Sequence, residues 1–282
     1  MNVLSLFDGM SCGQIALNRS GIKYDKYFAS EIKEHAIKCT MENYPNTIQL
    51  GDVTKLKGAD LPKIDLLIGG SPCQDFSMAN KNKLGLEGLK SGLFYEYLRL
   101  LDELKPKYFL LENVAMDDFS YSTISHLVKT FPVDINSDLV SAQLRQRSYW
   151  TNIGDSYEDL FGMRYCTIPQ PKDKKIAFQS ILENGYTDRL KARCLLESES
   201  RPLVTKSKLY RRYNELGFIN LVFDNPKCEY NENIRILNQT ELERLQTVPE
   251  GYTKMLKRND AACLLGDGWT IDVISHILNF IV

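Results

Sequence analysis

The chain has 282 residues, 43% hydrophobic and 25% charged, with a net charge of −1. That balance excludes a disordered polyelectrolyte and suffices for one large core or a core with an appended module. Any polyanionic partner must then meet a local patch, since the surface as a whole carries almost no net charge.

No apolar run approaches the roughly 20 residues of a membrane span. The start, MNVLSLFDG, lacks the basic segment and cleavage site of a signal peptide, so a cytoplasmic protein without a membrane partner is expected. Seven cysteines are scattered and never form a Cys-x-x-Cys pair, and the three histidines fall in helical-looking segments. Neither a disulfide framework nor a metal site is expected.

From residue 1 to about 155, strands and helices alternate. NVLSLF reads as a strand, residues 12–20 as a short helix, YFAS as a strand and KEHAIKCTMENY as a helix. TIQL and IDLLIG follow as strands, then the helix GLFYEYLRLLDEL and the strand KYFLLEN. Short connections between such elements indicate an α/β protein with a doubly wound, mostly parallel sheet, and ligands at the carboxyl ends of its strands. Residues 156–232 change character, with PQPKDKK and DNPK breaks and the stretch RPLVTKSKLYRR, which has five basic residues and no acidic one. They read as a separate small module. Residues 233–282 become helical again in NQTELERLQTV and WTIDVISHILNFI and are expected to return to the first domain, 1–155.

At the first strand end, LFDGMSCG places Gly9 and Gly13 around a tight turn before a helix, where backbone can approach a ligand closely. Glu31, after the second strand, can accept from ribose hydroxyls, and Asp52, after the third, from an adenine amino group. Each acid alone also reads as a helix cap. The turn lacks the glycine spacing of dinucleotide and phosphate loops, so a nucleoside without a phosphate chain, S-adenosylmethionine, fits better. Expected contacts are Phe7, Asp8, Gly9, Met10, Ser11, Cys12, Glu31, Ile32, Asp52 and Val53.

The strand IDLLIG runs out through Gly-Gly into SPCQDFS, presenting Cys73 after Pro72; a small buried hydrophobe is the alternative reading of that cysteine. KYFLLENVA ends a strand on Glu112 and Asn113. In SAQLRQRSYW, residues Gln143, Arg145 and Arg147 alternate and would share one face if the stretch is a strand. Pro-Cys, Glu-Asn-Val and Gln-x-Arg-x-Arg, in this order after such a first strand, resemble the DNA cytosine-5 methyltransferase family. With TELERLQTVPEGYT and LLGDGWTIDVISHIL, the chain is most similar to the catalytic domain of the de novo eukaryotic branch, while a compact lone catalytic domain suits a bacterial or phage enzyme.

The resemblance implies a Rossmann-like methyltransferase fold with a small target recognition domain at 156–232. It implies DNA methylation of the kind used in restriction–modification, with Cys73 as nucleophile, Glu112 at the exocyclic amine and ring nitrogen 3, Arg147 at the 2-oxo group and Arg145 ordering phosphate. The base must be flipped out of the duplex. Double-stranded DNA is the implied partner, contacted by Gln143, Arg201, Thr205, Lys206, Ser207, Lys208, Arg211 and Arg212. Asp267, Gly268 and Trp269 are implied to close over the cofactor, although the family often has asparagine where Asp267 stands. RNA methylation and a catalytically silent binding protein remain the alternatives, and the sequence leaves open whether two chains pair.

Overall fold

A computed structural model describes residues 1–71, 92–201, 205–217 and 219–282. The chain forms two compact units, one of residues 1–135, 146–170 and 274–282, the other of residues 136–145 and 171–273.

The first unit opens with β1 (Asn2–Leu6), α1 (Cys12–Arg19), β2 (Lys26–Ser30), α2 (Glu34–Asn43), β3 (Ile48–Gln49) and β4 (Leu66–Gly70). There follow α3 (Gly92–Leu104), β5 (Tyr108–Val114), α4 (Asp118–Val128), β6 (Thr130–Phe131), β7 (Val133–Asn136), β8 (Gln146–Thr151), β9 (Ser156–Glu158) and β10 (Arg164–Cys166). Seven strands join in the order β3-β2-β1-β4-β5-β8-β7. The first five of that order are parallel neighbours, and β8 runs antiparallel to β5. The fold is thus the expected α/β class, a mostly parallel Rossmann-like sheet whose order reverses between β1 and β4, the place where such sheets take their ligands.

The central strands are continuous apolar runs because helices cover both faces. Leu4, Leu6, Leu67, Phe94, Tyr97, Leu111, Ile124 and Trp150 share one buried cluster. On α1 the helix backbone lies almost on the sheet. A Cβ at Gly13 would stand 2.3 Å from Ile68 Cδ1 and 2.6 Å from the Tyr27 hydroxyl, so a larger residue requires these two side chains to shift.

The domain limits differ from those expected. β10 pairs with β6 and β9, and Thr130 Oγ1 donates to Arg164 O at 3.1 Å, so residues 156–170 extend the first unit. In the second unit lie α5 (Lys206–Arg211), one π-helical turn over Arg212–Leu216, α6 (Gln239–Leu245) and α7 (Arg258–Asp267). Residues 233–273 therefore belong with this unit and not with the returning segment. Only residues 274–282 rejoin the first unit, where Ser275 Oγ donates to Ala16 O at 3.2 Å from within α8 (Ile271–Leu278). The stretch Arg258–Leu278 is long and apolar enough to match a membrane span by composition, against the sequence expectation, but 67% of its most apolar 18 residues are buried and residues 268–270 break it into α7 and α8.

Among the described residues of the second unit, strand pairing is confined to isolated bridges such as Tyr186–Phe223 and Val222–Arg235. A small core of Leu209, Tyr213, Ile219, Leu221, Phe223 and Ile234 is supplemented by buried carboxylates. Glu241 completes a capping box with Asn238 and pairs with Arg235 at 2.7 Å. Glu243 accepts from Gly251 N, Thr253 N and Thr253 Oγ1 at 2.6–2.8 Å, shaping the turn after α6. Buried charges persist only with such partners, which gives TELERLQTVPEGYT a structural reason.

Asp8, between β1 and α1, is buried and accepts from Ser11 Oγ at 2.5 Å and Tyr27 Oη at 2.8 Å. Desolvation pushes its carboxyl up to about 6, against the lowering effect of these hydroxyls. Because the folded pKa lies above the unfolded value of 3.8, this group favours folding below about pH 4 and that contribution is lost as pH rises through about 6. The loss amounts to about 3 kcal/mol. Urea unfolding of wild type and Asp8→Asn from pH 4 to 7 should show wild type losing stability relative to the variant over that range. Parallel pH profiles would refute the assignment.

Candidate active site

The register of β5 and β8 builds the reacting end. Val114 stands opposite Arg147 and Glu112 opposite Tyr149, so Glu112 and Arg147 are diagonal neighbours on one face. Arg147 Nε lies 3.0 Å from Glu112 Oε1, with both side chains only 11–13% exposed. Arg147 Nη1 also donates to Gln146 O at 2.7 Å, which fixes the guanidinium plane. Glu112 is in register with Gly70 on the other side, at the end of β4. Cys73 follows Gly70 by three residues in the sequence; it lies outside the described residues, as do Pro72 and the stretch QDFSMANKNKLGLEG.

Asn113 points to the opposite face of β5. Its Nδ2 donates to Ser71 Oγ at 3.2 Å, both residues being buried. Asn113 thereby ties the end of β5 to the residue that leads into Pro72-Cys73. The sequence reading named Asn113 without giving it this role, and the only signal for it is the alternation of faces along a strand.

At the neighbouring strand ends Phe7, Gly9 and Ser11 all have positive φ, 57°, 59° and 61°, so the turn into α1 coils tightly. Glu31 binds that turn: Oε2 accepts from Gly9 N at 2.8 Å, and Oε1 from Ile32 N and Lys33 N at 2.8 and 2.9 Å. Asp52 Oδ1 caps the short turn Val53–Lys55 through Thr54 N at 3.0 Å, and that amide holds its carboxyl below the ordinary range. The cap reading therefore applies to Asp52, whereas Glu31 ties two loops together and caps no helix, the residue before α2 being Lys33.

The same residues suit a nucleoside. Ile32 is apolar yet 71% exposed, a platform for a base, and it sits beside the Glu31 carboxylate. Met10, Cys12 and Val53 are buried, and Asp8 is committed to Ser11 and Tyr27.

Two expectations require correction. β8 begins at Gln146, so Gln143 and Arg145 precede the strand and do not form one strand face with Arg147. Gln143 is fully buried; its Nε2 donates to Leu245 O and Gln246 Oε1 at 2.8 and 2.9 Å, and its Oε1 accepts from Leu195 N at 3.1 Å. Its amide is thus committed inside the second unit and is not offered to DNA. Arg145 is also buried, and its Nη atoms donate to Cys194 Sγ, Leu195 O, Gly266 O and Gly268 O at 2.8–3.2 Å. These acceptors take the place of the expected phosphate.

In the same unit Asp267 is exposed at the end of α7, with Gly268 and Trp269 half-buried after it. Of the basic stretch, Arg201, Thr205, Ser207, Lys208 and Arg211 are exposed and Arg212 is half-buried. Lys206 donates to Ile234 O, and Arg211 pairs with Glu215 at 2.8 Å. Among the described residues no cluster of His, Cys, Asp and Glu could hold a metal.

Comparison with known proteins identifies the family. Residues 1–195 match the family model described as C-5 cytosine-specific DNA methylase. The chain is 42% identical over 116 residues to the orphan methyltransferase M.Rho11sI of Bacillus phage rho11s, spanning 40% of this chain and 23% of that protein. It is 32% identical over 225 residues to the type II methyltransferase M.NgoBV of Neisseria gonorrhoeae, with 72% of this chain and 49% of that protein covered. With M1.ScrFI, a type II methyltransferase of Lactococcus lactis subsp. cremoris, identity is 28% over 98% of this chain and 76% of the other. The match therefore covers about half or less of the first two relatives.

Among solved structures, the Entamoeba histolytica methyltransferase EhMeth has a TM-score of 0.71 at 14% identity, covering 99% of this chain and 97% of that one. The S. pombe Dnmt2 methyltransferase has 0.67 at 15% identity with the same coverage, and both likenesses concern the fold. The matched region holds the turn into α1, Glu31, Glu112 and Arg147 together, and with it the chain belongs to the C-5 cytosine-specific DNA methylase family.

Proposed function

We propose that this chain methylates carbon 5 of cytosine in double-stranded DNA, with S-adenosylmethionine as donor. The observation that carries the reading is the Glu112–Arg147 pair at 3.0 Å, on the strand in register with the one leading to Cys73.

Carbon 5 of cytosine is a weak nucleophile. Addition of the Cys73 thiolate at carbon 6 makes the ring an enamine, which is covalent catalysis of the usual form. Glu112 shares a proton with ring nitrogen 3 and accepts from the exocyclic amine, neutralising charge as the sulfur adds. Arg147 binds the 2-oxo group and holds Glu112 in place. Its positive field favours the thiolate of Cys73, the reactive form. S-adenosylmethionine supplies the methyl group when bound, and Glu31, Ile32 and Asp52 would hold its adenosine part. Water or hydroxide then takes the carbon 5 proton, the electrons of that bond expel the Cys73 thiolate, and the enzyme is regenerated.

The second unit is proposed as the target recognition domain, with the exposed Arg201, Lys208 and Arg211 set toward phosphates and Thr205 and Ser207 as further candidates. Lys206 and Arg212, less exposed, support that face.

Cys73→Ser should abolish methyl transfer from labelled donor to DNA, and wild type should form a stable adduct on duplexes containing 5-fluorocytosine. Retained turnover by the serine variant would end the mechanism, transfer to tRNA but not DNA would move the substrate to RNA, and no adduct on either would leave a silent binder. Glu112→Gln should lower kcat about 10²-fold or more, while leaving cofactor affinity within twofold by calorimetry. Lys208→Ala should weaken DNA binding and reduce the slope of log affinity against log salt by about one; an unchanged slope would remove Lys208 from the phosphate contacts.

A further inference from the structure

The three-stranded sheet of the first unit has an open edge that methyl transfer does not use. Its order is β6-β10-β9, so β10 lies in the middle, and among the described residues nothing pairs with the far side of β9. Asp159 N donates to Met163 O and Thr167 N to Asp155 O, so residues 155 and 159 bond inward, toward β10. By the alternation of an antiparallel ladder, the N–H and C=O groups of Ser156 and Glu158 then point outward, and both residues are exposed.

One face of this sheet carries an aromatic row. Phe131, Tyr165 and Tyr157 stand in register across the three strands, with ring centroids 4.7 and 5.0 Å apart and the two tyrosine planes within 4°. The other face turns inward, where Thr130 is buried and Cys166 Sγ donates to Thr151 O at 2.8 Å. Tyr157 ends the row on the edge strand and is 59% exposed, so its outer ring face can receive one more ring from a fourth strand. Just beyond β9, Leu160 and Phe161 are almost wholly exposed. Their turn is a built one: Asp159 Oδ1 accepts from Phe161 N and Met163 N, each at 2.9 Å, and Gly162 N donates to Asp159 O at 3.1 Å.

Charge selects the occupant. Residues 154–163 hold three acids, Asp155, Glu158 and Asp159, and no base. Side chains alternate along a strand, so Asp155 and Asp159 flank Tyr157 on its own face; Tyr165 Oη, in the same row, donates to Asp159 Oδ2 at 3.4 Å. A second copy stacking Tyr157 on Tyr157 about a two-fold axis would set Asp155 of each chain opposite Asp159 of the other, and like charges so placed are destabilising. Nucleic acids and anionic membranes are repelled by the same carboxylates. Charge alone would guard a strand edge against pairing, but the exposed Tyr157, Leu160 and Phe161 beside it do the opposite.

The geometry points to an extended, basic segment of another protein that joins β9 as a fourth strand, with an aromatic residue opposite Tyr157 and basic residues opposite Asp155 and Asp159. Main-chain bonds to Ser156 and Glu158 supply the pairing, while the ring and the two charges supply the selectivity. This docking edge does not depend on the proposed methyl transfer.

A cyclic hairpin peptide whose free edge strand reads Lys-Val-Phe-Val-Lys is a suitable probe, because a preformed strand avoids the cost of ordering. Titrated into the isotopically labelled full chain, it should shift the amide resonances of residues 155–161 and slow deuterium exchange at Ser156 and Glu158. It should bind about tenfold or more tightly than the same peptide with glutamate in place of lysine. Glu158→Pro removes an outward N–H and no bond to β10, and should weaken binding about tenfold. Tyr157→Ala should weaken it similarly, so it tests the proposal if the proline variant fails to fold. Asp155→Asn should narrow the preference for the lysine peptide.

No shift at residues 155–161, equal affinity for the two peptides, or unchanged binding in both Glu158→Pro and Tyr157→Ala would overturn the proposal. Failure of the peptide together with self-association that Glu158→Pro abolishes, read by sedimentation, would assign the edge to a second copy instead. Failure of the peptide together with loss of duplex affinity in Glu158→Pro would assign it to DNA.

Discussion

The antiparallel seating of β8 on β5 is the constraint on which the reacting end depends. In a purely parallel sheet every strand would leave the ligand edge at its carboxyl end, and one edge would receive side chains only from strand ends. The reversed strand brings its beginning to that edge. With Val114 opposite Arg147, the diagonal geometry of adjacent strands carries a guanidinium to Glu112 without any loop to position it. A register slip of one residue would turn Arg147 to the other face, where Ser148 now donates to Asp134.

The two units solve the problem of unpaired backbone differently. The first does so with a seven-stranded sheet. The second has isolated bridges and irregular chain, so side chains supply the missing partners: Gln143, Arg145, Gln246, Glu241 and Glu243 each bind backbone groups remote in sequence. Buried polar groups so fully engaged specify one arrangement, because each alternative strands a donor or acceptor away from water.

Much of this was legible in the sequence. GLFYEYLRLLDEL forms a helix over its full length, and the alternation of apolar strands and helices gives the sheet correctly, because local pattern and burial agree there. The α4 helix shows in the sequence only as the helical-looking surroundings of His126, without bounds, since DFSYSTISHLV is rich in serine and threonine and its best signal is the Asp117 side chain accepting from Ser120 N. β6, β9 and β10 are too short, at two or three residues, to carry a period. At the site, Glu112 and Arg147 could be named from residue type and order. Arg145 could not be separated from Arg147, because alternation in Gln-x-Arg-x-Arg looks the same whether or not a strand has begun. What distinguishes them is the company of Leu195 and Gly266, 50 and 121 residues further along.

The interleaving of the two units also bears on how the protein is made. Residues 136–145 emerge from a ribosome long before Leu195, Leu245 and Gly268, to which Gln143 and Arg145 are bonded. Contacts of such sequence separation form late, after the entropy of closing long loops has been overcome. During synthesis the strands β1 to β5 can assemble while a glutamine and a guanidinium, destined for burial, remain solvated. The second unit can consolidate only once the chain as far as Gly268 has emerged, after which α8 carries it back to the first unit.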